Sequence, residues 1–88
     1  MSVVHLLSNA SALNSCLQTI EQNDALLLLG DGVFAARDER LKGLSISISA
    51  INEDAISRGV ELMSHVKSVN YDEFVELIVN HHSSVSWT

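Results

Sequence analysis

The chain has 88 residues, 47% of them hydrophobic and 18% charged, with a net charge of -6. This length leaves room for one domain over residues 1–88. The five basic residues, Arg37, Arg40, Lys42, Arg58 and Lys67, form no block, which argues against a primary nucleic-acid surface, because phosphate binding needs a basic footprint. A chain of this size buries only about 60 to 65% of its surface, so its apolar excess points to a partner.

Cys16 is the single cysteine, so no intrachain disulfide framework is available. The opening MSVVHLL has neither a basic leader nor a signal-length apolar stretch, and the longest apolar run, residues 25–29, falls far short of the roughly 20 residues that span a bilayer. The expectation is a cytoplasmic protein with no membrane span.

In chain order, VVHLL at residues 3–7 is apolar and partly β-branched and precedes Ser8-Asn9, the pattern of a buried strand ending in a turn. From Ser11 onward Leu13, Cys16, Leu17 and Ile20 recur at i, i+3, i+4 and i+7, one stripe of an amphipathic helix that closes at residues 21–23. Residues 25–29, ALLLL, lack any alternation. A strand apolar on both faces needs cover on both, as in a parallel α/β sheet, so it is expected at the centre. Residues 33–37 are expected to make one short helical turn and residues 38–43, DERLKG, a solvated charged loop. Residues 44–51, LSISISAI, alternate apolar positions with serine, which predicts a half-covered strand whose serine face meets solvent or a partner. Asn52 is the expected N-cap of a short helix stopped at Arg58-Gly59. Residues 66–69 suit a short strand. Asn70 and Glu73 then stand at capping-box spacing before a last helix with the apolar stripe Tyr71, Phe74, Val75, Ile78 and Val79. Val85 and Trp87 are placed on a final short edge strand. Strands alternate with helices throughout, so the class is α/β.

The GDG of residues 30–32 is not a phosphate loop: the Lys-Ser or Lys-Thr pair of a P-loop is missing, as are the three spaced glycines of a dinucleotide fingerprint. Asp31 nevertheless stands at the carboxyl end of a buried strand, where α/β sheets place functional groups. The alternative is a strand-ending turn with Gly30 or Gly32 at positive φ and Asp31 bonded to nearby amides. Cys16 is the one possible sulfur nucleophile, but its place in the apolar stripe favours burial over a reactive thiolate. His5 lies within the first strand and joins no Ser-His-Asp arrangement. His81 and His82 are adjacent with no third ligand at zinc spacing, so no metal or cofactor is expected and the pair suits a polar helix terminus. Trp87 either docks in its own core or anchors a partner.

Five blocks, VVHLL, LLLLGDGVFAA, AINEDAISRG, VNYDEFVELIVNHH and the terminal Trp87, occur in the order and spacing of one family, and over nearly its whole length the chain resembles the DsrH and TusB proteins. The resemblance implies a three-layer α/β sandwich with a small, mostly parallel sheet of about five strands. It further implies one of three related subunits, in a dimer of heterotrimers that relays sulfur as a cysteine persulfide to a downstream acceptor protein. In the TusB branch the relay serves 2-thiolation of the wobble uridine of transfer RNA, the partners are TusC-like and TusD-like, and the working cysteine belongs to TusD. In the DsrH branch, tied to sulfur oxidation with DsrE-like and DsrF-like partners, the subunit carries its own cysteine in the first helix, and SCLQ around Cys16 resembles that element. Direct nucleic-acid contact is expected in neither. The other blocks do not separate the branches.

Overall fold

A computed structural model describes residues 2–88. Strands β1 (Val3–Leu7), β2 (Ala25–Leu28), β3 (Ser47–Ile51), β4 (Lys67–Val69) and β5 (Ser83–Trp87) form one sheet in the order β4-β3-β2-β1-β5. Every strand pair is parallel. The four residues of β2 are all buried, and β2 is the middle strand, so the leucine run sits where its lack of alternation requires.

The helices divide between the two faces according to the direction of each crossover. From β1 to β4 the chain steps one strand at a time in one direction, and α1 (Leu13–Thr19), α2 (Asn52–Ser57) and the 3-10 helix Gly30–Arg37 cover one face. Their Leu13, Cys16, Val33, Ala36 and Ala55 pack on Leu7, Leu26, Leu28, Ile48 and Ala50. The step from β4 to β5 runs back across the whole sheet, so the right-handed crossover rule sends α3 (Tyr71–Val79) to the other face. There Phe74, Leu77 and Ile78 meet Val4, Ala25, Leu27, Ile51 and Val69. The result is a three-layer α/β sandwich. One layer is a single helix about 10 Å across, laid over five strands spaced about 4.8 Å apart, so it cannot cover that face completely.

Several local expectations shift. Residues 39–43 wind into a 3-10 helix, Glu39–Gly43, capped by the Asp38 side chain on the Arg40 N–H, and Leu41 is buried beneath it; the charged loop is a lid over part of the core. The strand expected over residues 44–51 begins at Ser47, and Ser49 on its serine face is buried, not solvated. Ile51, not Asn52, occupies the N-cap position of α2. The capping box of α3 is present, with Asn70 accepting from the Glu73 N–H and Glu73 accepting from the Asn70 N–H. The helix turns Phe74, Leu77 and Ile78 inward and leaves Tyr71, Val75 and Val79 outside, a rotation away from the predicted stripe. The first helix is preceded by a 3-10 turn, Ala10–Ala12, capped by Asn9. Among the described residues no helix is long and apolar enough to cross a membrane.

The two glycines of GDG serve different needs. Gly30 takes φ +53, a conformation that L side chains rarely adopt. Gly32 lies against the end of β1, where a Cβ would fall 1.8 Å from the Leu7 carbonyl oxygen. Gly32→Ala should therefore cost about 3 kcal/mol or more, whereas Gly43→Ala, with open space around its Cβ, should stay within about 0.5 kcal/mol in urea unfolding.

Candidate functional site

The helices after β3 and β4 leave on opposite faces, and the carboxyl ends of strands at such a switch are where open parallel sheets tend to bind ligands or partners. Asp54, in the first turn of α2, spans this edge. Its Oδ2 accepts the Gly30 N–H at 2.8 Å and its Oδ1 accepts the Tyr71 hydroxyl at 3.2 Å. One carboxylate thus ties together the loop after β2, the start of α2 and the start of α3, and it pushes the Tyr71 phenol above its ordinary pKa.

Asp31 takes part from the same edge, but through a side chain and not through the turn. Its Oδ1 accepts the Arg58 Nε–H at 2.8 Å, and Arg58 also reaches the Asp54 carbonyl at 3.2 Å. The Asp31 side chain is 72% exposed, so this ion pair contributes under about 1 kcal/mol. The backbone amide of the GDG turn is taken by Asp54.

Cys16 lies on α1, in the same helical layer as α2, 0% exposed among Leu7, Leu13 and their neighbours. Burial pushes its thiol up to about 11. His5, Asp24 and Trp87 form a second polar chain, on the β1 side of the sheet. His5 Nε2 lies 2.9 Å from Asp24 Oδ2, and the Trp87 indole N–H donates to His5 Nδ1 at 3.1 Å, with the two rings stacked at 24°. An indole N–H can only donate, so Nδ1 must accept, and in the neutral ring the proton sits on Nε2, facing Asp24. Asp24 also accepts the N–H groups of Val3 and Glu21, at 3.0 Å each. Burial alone would raise its pKa and is the largest single influence. The Glu21 N–H, the His5 ring and the Val3 N–H together outweigh it and hold the carboxyl below its ordinary value.

The chain thus has three separated polar features: the Asp54 edge, the buried His5 trio and the lone thiol. His81 and His82 stand apart from all three. His81 Nδ1 donates to the Leu77 carbonyl at 2.7 Å and closes the end of α3, while His82 joins Ser2. Among the described residues no group of three or more His, Cys, Asp or Glu is placed to hold a metal ion. At the Asp54 edge the carboxylates of Asp31 and Asp54 face one guanidinium, Arg58, and the Tyr71 hydroxyl donates to Asp54, so the group ties three segments of the chain together.

Asp24, Asp54, Arg58 and Tyr71 were not singled out from the sequence. Asp24 did leave a signal: an acid directly before a strand buried on both faces must find donors. Asp54 left none, because an acid in the first turn of a helix is sufficiently explained by the helix dipole.

The Asp24 linkage has a definite sign. Because its folded pKa is depressed, its stabilisation is fully present above the ordinary 3.8 and is lost as pH falls through the lower folded value. Asp24→Asn should cost about 2 to 3 kcal/mol at neutral pH, and its stability should fall less steeply than that of the native chain below pH 3.8, measured by urea unfolding across the acid range.

Comparison with known proteins agrees with this architecture. Residues 8–84 match the family model described as DsrH like protein. Protein TusB of Escherichia coli O81 is 40% identical, with 81% of this chain and 82% of that protein covered, and Protein TusB of Shigella flexneri is 38% identical over the same shares. The solution NMR structure of protein Tm0979 from Thermotoga maritima superposes with a TM-score of 0.68 over 90% of this chain and 92% of that one, at 24% identity, a likeness of fold. By the family match and these identities, the chain belongs to the DsrH-like family.

Proposed function

We propose that this chain is an assembly subunit of a cytoplasmic sulfur-relay complex that supports 2-thiolation of the transfer RNA wobble uridine, with the persulfide carried by a sister subunit. Membership of the DsrH-like family, with TusB relatives, supports a relay subunit. The observation that carries the non-carrier role is Cys16. It is the only thiol in the chain, it is buried, and its pKa is near 11. At pH 7 roughly one such thiol in ten thousand is ionised, and a persulfide relay needs an accessible thiolate.

The surface supports assembly. Tyr71, Val75 and Val79 follow one another at four-residue spacing along the outer side of α3, and Val75 and Val79 are 56% and 73% exposed. An apolar stripe of this kind fits the homologous subunits that the family role calls for, TusC-like and TusD-like. In this reading Asp31, exposed beside Arg58 at the Asp54 edge, contributes a polar rim contact. His5 and Trp87 act indirectly by holding β5 on the sheet.

Val75→Asp is expected to abolish co-purification with the two sister subunits while leaving the circular dichroism spectrum unchanged. Deletion of the chain should lower 2-thiouridine, and Cys16→Ala should restore it; alanine is preferable to serine because a buried hydroxyl would lack a partner. Mass-spectrometric detection of added sulfur on Cys16 after sulfur loading, together with failure of Cys16→Ala to complement, would instead support a persulfide carrier of the DsrH type.

A further inference from the structure

On the face covered by α3 alone, β3, β4 and the helix enclose an open pocket of about 190 Å³. Its floor is the serine side of β3. Ser49 pairs in register with Lys67, so both project toward α3, and Ser47 precedes them by one alternation. Ser49 is 2% exposed and its hydroxyl makes no hydrogen bond to another described residue, yet it is not sealed in: it lines the pocket. The residue is buried, but its Oγ is not among the fully buried unpaired atoms, so it faces the pocket and is available to a ligand there.

The walls carry opposite charges. From the strand side comes the Lys67 ammonium, which forms no ion pair among the described residues. From the helix side come Glu73 and Glu76, and only Glu73 has a hydrogen-bond partner, the Asn70 N–H. A simple anion would face two carboxylates and a simple cation would face Lys67. A molecule with both charges meets complementary groups on both walls. Val69 and Leu77 form an apolar wall between them, suited to a short aliphatic side chain. The volume lies below the usual range of drug-sized pockets and suits a molecule of a few heavy atoms.

We propose that the pocket between β3, β4 and α3 binds a small zwitterion, an α-amino acid with a short side chain, with its carboxylate on Lys67 and Ser49 and its ammonium on Glu76. Asp54, Asp31 and Arg58 are not among the residues lining this pocket, and the site does not depend on the relay role.

The test is a titration of the full 15N-labelled chain with L-alanine, followed through its amide chemical shifts, with acetate and methylammonium as single-charge controls. The expected result is saturable shifts centred on Ser49, Lys67 and Glu76 with a Kd on the order of 1 mM, and a response to either control at least about tenfold weaker. Lys67→Met and Glu76→Gln, both at exposed positions, should each weaken alanine binding about tenfold while leaving distant amides unmoved. Shifts that do not saturate, acetate binding as well as alanine, or unchanged affinity in both variants would each overturn the proposal.

Discussion

The constraint on which the rest depends is the two-sided burial of β2. A four-residue strand with no polar position must be covered above and below, and the chain has 88 residues with which to do so. Three successive crossovers build one cover from α1, α2 and the 3-10 segments, leaving a single nine-residue helix for the other. Full burial of Val4, Leu27 and Ile51 under α3 is worth about 1.5 to 3 kcal/mol for each side chain, enough to hold the helix in place. Its width still leaves part of the sheet uncovered, hence the partly open Leu6 and Leu29 and the pocket over Ser47 and Ser49. The apolar outer side of α3 and the incomplete cover beside it both follow from the shortness of the chain. Both leave apolar surface of the kind that partners cover.

Polar groups are distributed to fix geometry. The buried His5 links the first strand to the last through Trp87, and to the segment before β2 through Asp24. Each partner is nearly saturated, and this is how a buried polar network specifies one arrangement of strands without supplying chemistry. At the other end of the sheet Asp54 fixes three loops with one carboxylate. Neither cluster lies beside the thiol, which is sealed in a third place.

Much of the framework was legible because it rests on local rules. The leucine run identified the central strand, Asn70 and Glu73 fixed the start of the last helix, and the apolar stripe through Cys16 anticipated its burial. What was missed depended on the third dimension. The inward side of α3 was misjudged because Tyr71, Val75 and Val79 are as apolar as Phe74, Leu77 and Ile78, and only the position of the sheet distinguishes the two sides. Leu41 inside DERLKG looked like one apolar residue in a charged loop, whereas the loop folds over it as a 3-10 turn. The Asp54 edge was invisible because its partners, Gly30 and Tyr71, come from segments 24 residues before it and 17 after it. Asp31 stands out in the sequence for its place at a strand end, and its side chain there pairs with Arg58.

Whether Cys16 is a working thiol is tested most directly by its alkylation rate as a function of pH. In the native chain the rate with iodoacetamide should stay far below that of a free thiol at neutral pH and rise only toward pH 11 or with unfolding. Rapid alkylation of folded protein with an apparent pKa at or below the ordinary thiol value would contradict the non-carrier role.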